Sequence, residues 1–214
     1  MSPELPERLR LETRDLHAAT ERTGAMAVLL AGRLARPAYC AMLRNLHALY
    51  AALEAALRAR QTDPAVAPLQ AAALQREAAL AADLAALHGP GWASDLPLQP
   101  ATTAYVQRLQ NLAQTASPAL VAHAYVRYLG DLHGGQILKR LVARSLGLHE
   151  DAGGRLVGTQ FYEFGGEGQV RALRQQLRHA LAVLPVSTAE QDLILAEARW
   201  AFVQHQHLFE ELPD

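Results

Sequence analysis

Along almost the whole chain, apolar residues recur at the three- and four-residue spacing of an amphipathic helix, and this constrains the fold more than any other feature. Alanine and leucine supply most of these side chains, and only two isoleucines occur, Ile137 and Ile194. Such a chain favours helix and has little material for strands. The spacing predicts helices over about 7–22, 37–60, 71–87, 102–115, 118–146, 169–184 and from 188 to about 211. Local signals set their ends. Gly24 stops the first, Pro37 suits the first turn of the second, and Thr62-Asp63-Pro64 breaks it, with Asp63 placed to cap the next segment. His88-Gly89-Pro90-Gly91 opens a loop that runs through Pro97 and Pro100. Glycine-rich connectors at 151–158 and 165–168 flank a short segment, 160–164. Ser187-Thr188-Ala189-Glu190 is a capping box that opens the last helix. No internal repeat or linker divides the chain, so residues 1–214 are expected to form one all-α domain of seven or eight helices.

A domain of 214 residues can bury roughly 70% of the surface that its unfolded chain exposes, enough for one sizeable core. Half the residues are hydrophobic and 19% are charged, the balance of a folded chain and not of a disordered one. With 20 basic and 21 acidic side chains the net charge is −1, without the basic excess of a general nucleic-acid binder. The single cysteine, Cys40, excludes an internal disulfide framework and any multi-cysteine zinc or iron–sulfur site. No stretch approaches the roughly 20 apolar residues of a membrane span, and the charged first fifteen residues do not read as a secretory signal. A cytoplasmic location is therefore expected, with neither nucleic acid nor membrane as partner. Lys139 is the only lysine, so nearly every positive charge is arginine and its identity at any one position carries little weight.

Most of the nine histidines read as solvated or core residues. His47, His88, His149 and His179 stand alone, and His205 and His207 are two apart, which turns them to different sides of a helix. No His-Glu-x-x-His or carboxylate-bundle pattern occurs. His17 differs in its company. At about 100° per residue, Arg10, Arg14, His17 and Glu21 fall within about 60° of one another, while Leu9 and Leu16 form the core stripe. Glu21, one turn on, can reach the second imidazole nitrogen directly or through water, as carboxylates do behind histidine metal ligands. The two arginines suit anionic groups of a ligand. A solvated face laced with charge pairs would carry the same residues.

A second constellation runs Ala122-His123-Ala124-Tyr125-Val126-Arg127-Tyr128-Leu129-Gly130-Asp131-Leu132-His133-Gly134-Gly135-Gln136. Three glycines in a helix cost about 3 kcal/mol locally, so the backbone must bend there, or something must approach it more closely than a β-carbon allows. Gly130 and Gly134 share one face, against which a flat ligand could lie with Asp131 beside it as a polar anchor. A plain turn between helices, or close helix packing, remains open.

These two stretches together resemble the heme oxygenase family, with weaker similarity at 49–54, 161–164 and 208–212, so that the resemblance covers nearly the whole chain in order. It implies an all-α, multi-helical fold that sandwiches heme between a proximal helix and a kinked distal one. His17 would be the axial iron ligand, with Glu21 as its hydrogen-bond partner. Asp131 would anchor a distal water network with Tyr50, Arg127 and Tyr125, and Gly130, Gly134 and Gly135 would lie against the macrocycle. Arg10, Arg14, Arg174 and Arg178 fall at propionate-contacting positions, and Phe202 and Phe209 near the buried edge of the pocket. Heme would be both substrate and cofactor. O₂ and electrons from a reductase, ferredoxin or similar donor would open it to biliverdin, carbon monoxide and ferrous iron. A biliverdin reductase or a bilin-accepting photoreceptor would be the downstream partner. Two positions depart from the pattern. His133 replaces a small, serine-like residue and is expected to point towards protein or solvent, since an imidazole on the iron would block O₂. His205 stands where mammalian relatives have another polar residue.

Overall fold

The computed structural model describes residues 4–213. Their order is α1 (Leu5–Thr20), α2 (Gly24–Leu30), α3 (Arg36–Ala59), α4 (Glu77–Leu87), α5 (Trp92–Asp95), α6 (Pro100–Thr115), α7 (Leu120–Ala124), a π-helical turn (Tyr125–Leu129), α8 (Gly130–Leu146), α9 (Glu167–Ala182) and α10 (Thr188–Glu211). Single 3₁₀ turns at Ala67–Leu69, Ala72–Leu74, Ser117–Ala119 and Gln160–Tyr162 fill the connections. Among the described residues the only extended pairing is an isolated bridge between Glu150 and Leu156. The expected all-α class is what the chain forms.

Two 24-residue helices organise the packing. Amphipathic α3 packs on α6 and α4, and α10 packs along α1, α6, α7 and α2. Leu9 on α1, Leu43, Leu49 and Leu53 on α3, and Ala198 and Leu208 on α10 are completely buried. The expected capping box opens α10: Ser187 Oγ accepts from Glu190 N at 3.3 Å, and Ser187 N donates to Glu190 Oε2 at 2.7 Å.

Three elements differ from the sequence expectation, two of them for a tertiary reason. The predicted helix over 71–87 is a 3₁₀ turn followed by α4, because the buried Glu54 carboxylate reaches over from α3. Its Oε1 accepts the backbone N–H groups of Arg76 (2.6 Å) and Glu77 (3.2 Å), which fixes the start of α4 there. The predicted loop after Pro90 contains the short α5. Gly24 does not end a helix but opens α2, with φ +45°, and a β-carbon there would lie 2.0 Å from the carbonyl oxygen of Phe209. It is glycine because the main chains of α2 and α10 nearly touch.

A buried carboxylate also places the connection at 160–162. Asp83 on α4 accepts the N–H groups of Gln160 and Phe161, both at 2.8 Å. Burial pushes its pKa up to about 6, against the pull of those two bonds. The rings of Phe161 and Tyr162 are thereby set beneath α8.

Replacing Gly24 with alanine combines a left-handed φ with an overpacked helix contact and is expected to destabilise the fold by about 2–4 kcal/mol. Urea denaturation of Gly24→Ala against the parent chain reads this directly.

Candidate functional site

A cleft with two lobes runs between α1 and the wall formed by the π turn and α8. Its outer lobe, about 600 Å³, is edged by Glu7, Arg10, Arg14, Tyr125 and Arg178. Its inner lobe, about 360 Å³, is lined by Leu29, Met42, Phe161, Phe209, Asp131 and His205, among others. His17, Val126, Gly130, His133 and Phe202 belong to both lobes. The cleft is thus charged at the mouth and largely apolar inside, within the size range of small-molecule sites.

The side chain of His17 is 54% exposed and rests edge-on against Phe202, with ring centroids 5.8 Å apart. Glu21 Oε1 lies 3.8 Å from His17 Nδ1, too long for a direct hydrogen bond but within reach of a bridging water. Among the described residues no three His, Cys, Asp or Glu side chains converge on one point, so a metal held at His17 has to bring its other ligands with it.

The glycines divide. A β-carbon added at Gly130 or Gly134 would meet nothing within 4 Å, so at both positions the main chain of α8 faces the open cleft. Gly135 does not: it is buried, and an added β-carbon would lie 3.6 Å from the Tyr162 ring. One residue further on is about 100° round the helix, which carries Gly135 to the packed side. Nor do the glycines interrupt the helix. Gly130 is the first residue of α8 and Gly134 and Gly135 follow in its unbroken run, and the irregularity is the π turn immediately before them.

At the back of the inner lobe lies a buried polar network. Arg127 Nη2 donates to Asp131 Oδ1 at 2.9 Å, and Arg127 Nε to the Tyr50 hydroxyl at 3.1 Å. That hydroxyl in turn donates to Asp131 Oδ2. Arg127 Nη1 donates to His205 Nε2 at 3.2 Å, while His205 Nδ1 donates to the Ala201 carbonyl at 2.7 Å. Burial pushes the Asp131 carboxyl up, opposed by the Arg127 charge and the Tyr50 bond. Burial works against the Arg127 cation, yet Asp131 and Tyr50 hold its pKa above the ordinary arginine value. Burial and then the Arg127 charge drive His205 down to about 3, so it is neutral and serves Arg127 as an acceptor.

A family model described as heme oxygenase matches residues 3–211. The chain belongs to the heme oxygenase family. Heme oxygenase 1 of a Nostoc species is 34% identical over 212 residues, 99% of this chain and 87% of that protein. Human heme oxygenase 1 is 34% identical over 215 residues, 100% of this chain and 73% of that protein. The heme oxygenase of Leptospira interrogans superposes with a TM-score of 0.91 at 35% identity, covering 98% of this chain and 100% of that one. Heme oxygenase-2 of a Synechocystis species, solved in complex with heme and NO, gives 0.91 at 34% identity, covering 98% and 85%. Members of this family are enzymes that cleave heme to biliverdin, and this chain is a heme oxygenase.

Of the residues expected at the heme oxygenase site, His17, Glu21, Tyr125, Arg127, Gly130, Asp131, Gly134, Phe202 and Phe209 all line the cleft, with Tyr50 directly behind Asp131. The arginines differ in their surroundings. Arg10 is paired with Glu7 at 2.6 Å, and Arg14 bonds Asp15 at 3.1 Å. Arg178 reaches the mouth, but Arg174 does not line either lobe, although it shares a helix face with Arg178. His133 turns both ring nitrogens to protein groups, Nδ1 donating to the Leu129 carbonyl at 2.7 Å and Nε2 lying 3.4 Å from Arg178 Nη2, while its ring lines both lobes. Sequence reasoning missed the wall made by Leu29, Met42 and Phe161, which look like any other core residues. It left His205 without a partner, because no spacing rule links α10 to Arg127. The fully buried His123, bonded to Glu197 at 3.1 Å and to the Tyr105 hydroxyl at 2.9 Å, lies outside the cleft.

A histidine with a folded pKa of about 3 and an unfolded one of about 6.5 stabilises the fold fully above pH 6.5 and loses that contribution as the pH falls towards 3. The buried His123, also lowered, acts in the same direction. His205→Gln keeps an acceptor for Arg127 but removes the titration. Its stability, read by urea denaturation between pH 7 and 5, is expected to fall less steeply than that of the parent, by up to about 1.4 kcal/mol per pH unit.

Proposed function

We propose that the cleft receives heme between His17 on α1 and the bare main chain of Gly130 and Gly134 on α8, with the apolar edge of the ring in the inner lobe. The observation that carries this reading is a half-exposed imidazole sharing one cleft with two glycines whose β-carbon positions face open space. A flat ring can approach such a backbone closely, and no side chain of α8 stands in its way at those positions. His17 Nε2 would ligate the iron, and Glu21, through water, would keep the proton on Nδ1. Arg178, Arg10 and Arg14 would meet the propionates at the mouth. Bound there, heme supplies the redox chemistry by which O₂ and electrons open its own ring.

The chain's own part is to orient and to move protons. Asp131 reaches the inner lobe with lone pairs that Arg127 and Tyr50 leave free, so it can hold a water in the cleft and pass protons through it. The network behind it fixes the carboxylate. Phe202, Phe209 and Phe161 exclude bulk water from the inner edge. Carbon monoxide and ferrous iron would leave with biliverdin. A reductase, ferredoxin or similar donor would supply the electrons, and a biliverdin reductase or a bilin-accepting photoreceptor would take the product. No helix among the described residues is long and apolar enough to cross a membrane. A cytoplasmic location belongs to this reading.

The test is to add hemin and then ascorbate in air. A Soret band that appears and decays to a blue-green bilin supports the proposal, and a stable band overturns it. In His17→Ala the hemin complex is expected to form without turnover until imidazole is supplied; a parent-like spectrum would remove His17 as ligand. Gly130→Ala and Gly134→Ala separate stability from function. Each is expected to stabilise the ligand-free protein by about 0.5–1 kcal/mol and to weaken hemin binding at least about tenfold, read by denaturation and by optical titration.

A further inference from the structure

Three arginines edge the outer lobe, and two of them already face a carboxylate, Arg10 beside Glu7 and Arg14 beside Asp15. Arg178 differs. It projects from α9, and its polar partner is Nε2 of His133, 3.4 Å from Nη2. The opposite nitrogen of that ring, Nδ1, donates to the carbonyl of Leu129 at 2.7 Å. This bond orients the imidazole and leaves the lone pair on Nε2, aimed across the mouth of the cleft at the guanidinium. Burial lowers the His133 pKa and the Leu129 bond opposes it, while the charges of Arg178, Arg174 and His17 lower it further. His133 is therefore an acceptor. It links the rim of α8 to the mouth arginine that, among the described residues, has no carboxylate partner, and none of the heme contacts assigned above involves it.

From this we infer that His133 is a positioning residue: it holds Arg178 where one carboxylate arm of the substrate must land, and so decides which edge of the ring lies deepest and which bridging carbon is opened. The inference rests on the reading of the cleft as the heme site. A guanidinium on a long side chain can meet a carboxylate from many directions, and its selectivity depends on how few of these it is allowed. Tethering one Nη to a ring that is itself tied to the helix backbone leaves the other N–H groups pointing in a fixed direction. The ring lies within an unbroken helix beside Gly134, so the tether and the face that receives the macrocycle share one rigid element.

The test uses the full chain and three variants, His133→Ala, His133→Gln and Arg178→Ala. Glutamine can place Oε1 near the position of Nε2 and keep the acceptor, whereas alanine cannot. Two quantities are read after hemin addition: the ratio of seating isomers by proton NMR of the hemin complex, and the ratio of bilin isomers by chromatography. His133→Ala is expected to shift both ratios by about tenfold or more towards a mixture, as expected when a charge-assisted hydrogen bond loses its aim. Arg178→Ala should give the same mixture, the double variant no more than either, and His133→Gln the parent pattern. In the ligand-free protein, nitrogen NMR should show the His133 proton on Nδ1. Parent-like ratios in His133→Ala, an alanine-like His133→Gln, or a proton on Nε2 would each overturn the role given to His133. Failure of the parent chain to bind hemin would instead overturn the heme-site reading itself.

Discussion

Arg127 and Asp131 form a buried ion pair. Both are largely withdrawn from water, where an unpaired ion costs several kcal/mol, and each is held by the other at 2.9 Å. The remaining valences are met by groups from separate parts of the chain, the Tyr50 hydroxyl on α3 and the His205 imidazole on α10. One ion pair thus ties the two longest helices to the helix that faces the cleft. A π turn holds one residue more than an α turn, so it rotates the chain before it relative to α8. Arg127 lies in that turn and Asp131 in the α-helix after it. The distortion therefore falls where the buried pair is made, and the glycines beyond it remain in regular helix.

That division of labour explains why the cleft is both rigid and open. The π turn and its ion pair fix how α8 enters, while Gly130 and Gly134 withhold the side chains that would fill the space in front of it. The inner lobe is apolar except for the network at its back, and the outer lobe carries the charges. In the proposed seating, the apolar lobe would set the depth of a ring with acidic arms, and contacts at the mouth would set its rotation.

Local rules go far in a chain of this kind. The Ser187–Glu190 capping box, the proline at the start of α3 and the helical spacing through 102–115 are local features, and the structure carries each of them. The stripe of Arg10, Arg14, His17 and Glu21 is a matter of rotation per residue, and it does face one cleft. Where expectation and structure part, a residue far away in sequence intervenes. Glu54 shortens α4 by capping it, and the carbonyl of Phe209 makes Gly24 a close-approach glycine instead of a stop signal. Tyr162 takes up the face of Gly135.

The sequence by itself determined the all-α class, the placing of His17 with the Glu21 carboxylate one turn on, and the bare face at Gly130 and Gly134. All three arise from the fixed periodicity of a helix, in which neighbours along the chain are neighbours on a face. Only the tertiary structure decided that His205 accepts from Arg127, that Arg174 stays out of the cleft and that His133 meets Arg178. Those pairings cross between helices, so they depend on how the helices pack against one another, a quantity no local pattern encodes.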